Sequence, residues 1–172
     1  ISGKVGIYES ESRARGAMKL SGLWKIQEGD EEQWKDPDFD DSDWDKIMAP
    51  AFWRSLKKRF FQETAYAWYR KEFELADNLK GEEELVLVLG KIDDFDNTYL
   101  NGKLIGFTND HRPMGRSGSY DTYRVYPIPN DCLNRNGRNV ISVRVEDMGG
   151  NAGIYQGPLG IVPFDEYEDF ID

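Results

Sequence analysis

The chain has 172 residues and a formal net charge of -10, with 22 Lys and Arg residues against 32 Asp and Glu residues. This length suits one domain with a single hydrophobic core. Hydrophobic residues (39%) and aromatic residues (13%) are too frequent for a disordered chain. The acidic balance argues against a nucleic-acid partner, which needs clustered Lys and Arg. No apolar run reaches the length of a membrane span, so direct membrane insertion is not expected.

Cysteine content and the first residue leave the cellular compartment open. Cys132 is the one cysteine, so no internal disulfide can form. No signal peptide is recognisable. Because the sequence starts at Ile1 rather than Met, this does not argue against export.

Short β-rich runs follow a polar lead-in over residues 1–17. The first strand is predicted near Lys19–Ile26, and a weaker one at Ile47–Phe52. Tyr66–Leu75 alternates, with Tyr69 and Phe73 on one face and Trp68 and Arg70 on the other. Glu84–Leu89 is continuously apolar after its first residue, which predicts a central strand covered on both faces.

A β-hairpin is predicted where Asn101-Gly102 separates Asp96–Leu100 from Lys103–Phe107, because Asn-Gly suits a type I′ turn. Tyr120–Ile128 follows, and its Pro127, with Pro129 beyond it, excludes central pairing. Asn139–Glu146 alternates cleanly, and Leu159–Val162 is the last predicted strand. The pattern predicts an all-β antiparallel sandwich of jelly-roll type, with about eight strands over residues 18–163, and an acidic tail over residues 164–172.

The segment DPDFDDSDWDK (Asp36–Lys46) has alternating carboxylates like the start of an EF-hand loop. Such a loop needs Gly at its sixth position and Glu at its twelfth, where this chain has Asp41 and Ile47. We therefore predict a turn in which carboxylates accept backbone N–H groups while Phe39 and Trp44 are buried. No cofactor and no metal ligand is predicted; an irregular structural calcium site is the alternative.

Catalytic residues are not predicted anywhere in the chain. His111 has no G-x-S-x-G motif near it, so a hydrolytic triad is not expected. Asp93, Asp94 and Asp96 could supply the two carboxylates of a glycosidase. Their place just before a hairpin favours a role as turn acceptors.

The run DMGGNAGIYQGP (Asp147–Pro158) is a Gly-rich loop that contains an aromatic residue. Loops at the end of a sandwich commonly carry binding sites. Aromatic rings beside planar polar groups suit sugars, although each ring could equally pack in the core. The residues predicted to contact carbohydrate are Trp53, as a stacking surface, and His111, Arg112, Tyr120, Asn151 and Tyr155.

Seven blocks follow one another along the chain: GLWKI (Gly22–Ile26), DPDFDDSDW (Asp36–Trp44), AWYRKEFEL (Ala67–Leu75), IDDFDNTYLNGKLIG (Ile92–Gly106), YRVYPIP (Tyr123–Pro129), NGRNVISVRVED (Asn136–Asp147) and GIYQGPLGI (Gly153–Ile161). In this order they resemble the N-terminal jelly-roll domain of glycoside hydrolase family 2 enzymes, the sugar-binding domain of the galactose-binding-domain-like superfamily. They are also similar to accessory domains of sialate O-acetylesterases and to extracytoplasmic input domains of some bacterial membrane sensors.

The resemblance implies a non-catalytic module of a larger glycan-processing protein. Its partners would be carbohydrate and a neighbouring catalytic or signalling domain, and its location secreted, periplasmic or at the cell surface. The alternative is a structural or sensory interaction domain without sugar, which predicts a contiguous apolar patch. A stand-alone glycosidase is the third hypothesis.

Overall fold

The computed structural model describes residues 16–56, 65–109, 118–149 and 151–172. Within these ranges, ten strands form two antiparallel sheets. This confirms the predicted all-β sandwich, with ten described strands rather than about eight. The strands are β1 (Met18–Lys19), β2 (Gly22–Glu28), β3 (Asp45–Ala49), β4 (Tyr66–Glu74), β5 (Leu85–Asp93), β6 (Phe95–Leu100), β7 (Lys103–Thr108), β8 (Tyr123–Pro127), β9 (Arg138–Glu146) and β10 (Gly153–Pro163). Their order is β1-β10-β5-β8 in one sheet and β3-β2-β4-β9-β6-β7 in the other.

The predicted first strand is divided between the two sheets. Its first residue, Lys19, pairs with β10 as part of β1, and the residues from Gly22 onward pair with β3 and β4 as β2. Gly22 begins β2 with a φ of 130°, a conformation that glycine adopts without strain. The break lets one short segment contribute to both sheets, at the edge of one and between β3 and β4 in the other.

The main core lies between the sheets. The six-stranded sheet contributes Trp24 and Tyr69, and the four-stranded sheet contributes Leu87 and Ile161. β5 lies between β10 and β8, as its continuous apolar run predicts. Its Val86 and Val88 pack on the other face, in a cluster with residues of the C-terminal segment.

Residues 164–172, the predicted acidic tail, begin with a 3₁₀ turn at Phe164–Glu166 and continue into the short helix α1 (Tyr167–Ile171). Phe170 and Ile171 of this helix pack in the cluster around Val86 and Val88. Among the described residues, no helix is long and apolar enough to cross a bilayer.

The β6–β7 hairpin is confirmed. Asn101 and Gly102 both have positive φ angles, of 50° and 85°, as a type I′ turn requires. β8 lies at the edge of its sheet, as Pro127 predicted. The Asn101-Gly102 turn and the edge position of β8 were thus predicted correctly, because each depends on backbone chemistry alone.

Trp68 and Arg70 lie on the face of β4 that points away from the main core, yet they are only 0% and 1% exposed. The segment between β2 and β3 covers them. Arg70 donates to the carbonyls of Trp34 (2.6 Å) and Asp36 (2.9 Å), and to the Asp41 carboxylate (2.8 Å). The acidic segment is thus wrapped around a buried guanidinium.

The carboxylates of this segment hold its turns, as predicted. Asp36 accepts the N–H of Asp38 at 2.9 Å, and Asp40 accepts that of Ser42 at 3.0 Å. Trp44 is buried and Phe39 is half-buried against it. The described residues contain no group of three or more His, Cys, Asp or Glu side chains that could hold a metal ion.

Candidate functional site

One end of the sandwich brings together most of the residues predicted to bind a ligand. We call it the loop end: residues 51–56, 91–94, 118–123, 147–149 and 151–156. β5 and β9 finish there and β10 begins, with Gly153 opposite Asp93. Trp53, Tyr120, Asn151 and Tyr155 all lie at this end, whereas His111 and Arg112 are outside the described residues.

Phe52 and Tyr155 form a stacked pair of half-buried rings. Their centroids are 4.9 Å apart and their planes differ by 3°. Arg54 extends the stack, with its guanidinium 5.1 Å from the Phe52 ring centroid. Backbone hydrogen bonds hold this segment against the start of β10: from Ala51 N–H to the Ile154 carbonyl (2.8 Å) and from Trp53 N–H to the Ala152 carbonyl (2.9 Å). We call the two rings the aromatic shelf.

Trp53 is oriented differently from the prediction. Its side chain is only 3% exposed, and its indole N–H donates to the Tyr69 hydroxyl at 2.8 Å. That hydroxyl also accepts the N–H of Ile154, and burial raises the pKa of Tyr69. Trp53 therefore anchors the loop inside the core, and the neighbouring Phe52 takes the surface position. Two consecutive aromatics on an irregular segment gave no signal of which would point outward.

Polar groups lie beside the shelf. The Tyr155 hydroxyl donates to the Tyr120 carbonyl, and the Tyr120 side chain is 50% exposed. Lys91 pairs with Asp121 at 2.6 Å and lies 4.8 Å from the Tyr123 ring centroid. The hydrogen bond that Lys91 donates to Asp121 raises the pKa of Lys91. Lys91, Asp121 and Tyr123 were not among the predicted residues, because only pairing between distant strands brings them here.

A buried ion pair positions the turn that carries Tyr120. Arg124 and Asp96 are joined at 2.7 Å, and neither side chain is exposed to solvent. Arg124 also donates to the carbonyls of Ser119, of Thr122 (2.8 Å) and of Asp94 (2.7 Å). Burial raises the pKa of Asp96, and Arg124 opposes this. Asp96 is consequently unavailable to a substrate, which removes it from the glycosidase pair that the sequence allowed.

Asp93, Asp94 and Asp147 form a group of carboxyls where β5 and β9 end. Asp94 accepts the N–H of Met148 at 2.7 Å, and Asp147 accepts that of Gly149 at 2.9 Å. Asp94 is thus an acceptor for an irregular segment, consistent with the turn-acceptor interpretation. Burial, followed by the hydrogen bond and charge of Asp94, raises the pKa of Asp93 to about 8. Burial also raises the pKa of Asp147.

A family model described as the β-galactosidase second all-β domain matches residues 29–151, more than half of the chain. The chain belongs to this family. The match confirms the resemblance to an all-β domain of such glycosidases. No curated protein matches the chain.

Solved glycosidases share the fold of this β-galactosidase-type domain. A Bacteroides uniformis β-glucuronidase has a TM-score of 0.64 and 23% identity over 84% of this chain and 17% of its own. A β-glycosidase from Bacteroides vulgatus has a TM-score of 0.67 and 22% identity, over 85% of this chain and 20% of its own. A glycosyl hydrolase family 2 member from Bacteroides cellulosilyticus has a TM-score of 0.65 and 20% identity, over 84% of this chain and 20% of its own. The chain therefore spans about a fifth of the length of these enzymes.

Proposed function

We propose that this chain is a non-catalytic accessory domain of a larger glycoside-processing protein of the family 2 type. The observation that carries the proposal is the match of residues 29–151 to an all-β domain of β-galactosidases. The burial of Asp96 supports a non-catalytic role, because one of the three carboxylates that the sequence suggested for a glycosidase is enclosed with Arg124. The rest of the larger protein supplies the chemistry, and a secreted or periplasmic location follows from glycan processing.

We further propose that the loop end binds carbohydrate on the aromatic shelf. The C–H face of a pyranose packs against an aromatic ring while its hydroxyls bond to planar polar groups. Tyr155 supplies the ring, through the face that is not stacked on Phe52, and Phe52 supports it from the other side. Asn151 and Gln156 are exposed beside them and supply amide groups. Arg124 and Trp53 fix the backbone from below, which lowers the cost of ordering the site.

The test is a titration of ¹⁵N-labelled protein with a panel of methyl glycosides and disaccharides. We expect shifts at Tyr120 and Tyr155 at about 10 mM sugar, a concentration that detects millimolar dissociation constants. Tyr155→Ala should abolish them. Phe164→Ala, an exposed aromatic at the far end of β5, is the matched control and should leave sugar binding unchanged. A panel without any response at the loop end would refute sugar binding.

The non-catalytic part is tested separately with chromogenic aryl glycosides. The isolated chain should release no aryl alcohol above the buffer rate. Measurable turnover that is lost in Asp93→Asn or Asp147→Asn would overturn the accessory role. A second function, docking on another domain, is favoured by a groove at the opposite end of the sandwich.

A further inference from the structure

A groove of about 420 Å³ lies where β5 begins. Its lining includes Leu85 and Val86 at the start of β5. Pro127, the last residue of β8, and Ile128 after it line one side, and Phe164, which follows β10, lines the other. Phe164 is 50% exposed, so an aromatic wall faces solvent. Since β5 runs from Leu85 to Asp93, the groove lies roughly 26 Å from the loop end at about 3.3 Å per residue. It is a separate surface from the aromatic shelf.

Acidic side chains border this apolar groove. Glu83 and Glu84 line it, and Glu82 and Asp165 continue the same rim. All four residues are exposed, and none has an ion pair with another described residue. Within the described ranges, the rim thus carries four carboxylates without an ion-pair partner, next to carbon-lined walls.

Among the described residues, two cations border the groove, on the side of Asn130. Lys80 pairs with Asp77 at 2.9 Å. Arg135 donates to the Lys80 carbonyl (2.9 Å) and to the Asn130 side chain (2.8 Å), which are neutral groups. The four rim carboxylates outnumber this one uncompensated guanidinium, so the net charge around the groove is negative.

The backbone around the groove is already satisfied. The N–H of Phe164 donates to the Glu84 carbonyl, and the N–H of Ile128 donates to the Leu85 carbonyl, both at 2.9 Å. β5 is flanked on both sides there, by β10 and β8. An occupant therefore cannot pair as a strand with β5, and it contacts this part of the groove through its side chains.

We propose that this groove docks an extended peptide segment of a neighbouring domain, one that places an aliphatic side chain between Phe164 and Pro127 and flanking Lys or Arg side chains on the Glu82–Glu84 rim. Charge complementarity selects this occupant: an aliphatic group matches the carbon-lined walls, and cations match four unpaired carboxylates. An acidic or polar segment would leave like charges opposed. This docking does not depend on sugar binding at the loop end.

The test uses two matched probes, acetyl-Arg-Leu-Lys-amide and acetyl-Glu-Leu-Glu-amide, titrated into the ¹⁵N-labelled chain. The basic peptide should shift the amide resonances of Val86, Ile128, Asn130 and Phe164, and the acidic peptide should not. Raising the ionic strength to about 1 M, where the screening length is about 3 Å, should weaken the basic complex. The double variant Glu83→Lys/Glu84→Lys should raise its Kd about tenfold or more.

Two controls keep the result interpretable. Glu31→Lys/Glu32→Lys changes the net charge equally, at exposed residues of a different segment, and should leave the Kd unchanged. Phe164→Ala should weaken the basic peptide without lowering the melting temperature by more than a few degrees. Equal binding of both peptides, or an unchanged Kd in the Glu83/Glu84 variant, would overturn the proposal.

Other occupants are distinguished in the same assay. If a synthetic peptide of residues 1–15 shifts the groove resonances and the basic probe does not, the occupant is this chain's own segment. If the resonances shift with protein concentration alone, it is a second copy of the chain. Either outcome refutes docking of a basic segment from another domain.

Discussion

Arg124→Met perturbs the interaction that holds the loop end together. The substitution keeps most of the side-chain volume but removes the cation from a pair in which both side chains are 0% exposed. It also leaves the carbonyls of Ser119, Thr122 and Asp94 without their donor. Asp96 keeps hydrogen bonds only from Thr98 and Tyr126.

Removing one partner of a buried ion pair costs about 3–5 kcal/mol, because the other charge stays buried without compensation. For a domain of this size, each kcal/mol lowers the melting temperature by about 2–4 °C, so we expect a fall of about 6–20 °C. The loss should be smaller at pH 5 than at pH 8. Burial already raises the pKa of Asp96 in the wild type, and Arg124 opposes this. Without Arg124 the pKa rises further, so protonation at low pH stabilises the folded variant more than it stabilises the folded wild type.

The assay is urea unfolding of Arg124→Met, Asp96→Asn and the double variant at both pH values. The double variant should lose less than the sum of the single losses, by about 1–3 kcal/mol, because neither charge is left alone. Arg138→Met removes a half-exposed pair with Glu72 and should cost less than about 1 kcal/mol. If Arg124→Met is no more destabilising than Arg138→Met, or if the losses simply add, the buried pair does not hold the loop end.

Three further predictions concern the same end of the molecule and the acidic segment. The pKa of Asp93 is raised to about 8 in the folded chain, so its contribution to stability is complete below its unfolded pKa of about 4 and is lost as the pH rises through 8. The urea concentration at the unfolding midpoint should therefore fall between pH 5 and pH 9. If Asp93→Asn shows the same pH profile as the wild type, this prediction is wrong. A Cβ on Gly153, which has a φ of 113°, would lie 2.7 Å from the Trp53 ring and from the Tyr69 hydroxyl. Gly153→Ala should therefore lower the free energy of unfolding by about 1–3 kcal/mol and change the tryptophan fluorescence. If both values are unchanged, the start of β10 accommodates the extra methyl group without strain. Arg70→Met should unfold the segment between β2 and β3 before the rest, seen as faster amide exchange at Trp34 and Trp44; equal exchange would show that ring packing alone holds it.

Local signals in the sequence were sufficient for most of the architecture. The β6–β7 turn follows from the tolerance of Asn101-Gly102 for positive φ. The edge position of β8 follows from the missing N–H group of Pro127, and the interior position of β5 follows from apolar residues that face both sides of the sheet. The acidic segment was interpreted in the same way, since the absence of Gly and Glu at two positions excludes an EF-hand. These properties belong to a residue and its immediate neighbours.

The candidate site depended on contacts that the sequence does not encode locally. Phe52 and Tyr155 stack although about a hundred positions separate them. Lys91 meets Asp121 because β5 pairs with β8, with Lys91 opposite Tyr123. Trp53 rather than Phe52 is buried because its indole N–H finds an acceptor in the core, the Tyr69 hydroxyl.

The all-β class, the β6–β7 turn and most of the strands could therefore be predicted from the sequence, because hydrophobic period and backbone chemistry act over a few residues. The burial of Arg70 and Arg124, the enclosure of Asp96 and the acidic groove opposite the aromatic shelf became visible in the folded structure alone. Burial and ion pairing arise between segments distant in sequence, and they are fixed only when the two sheets pack.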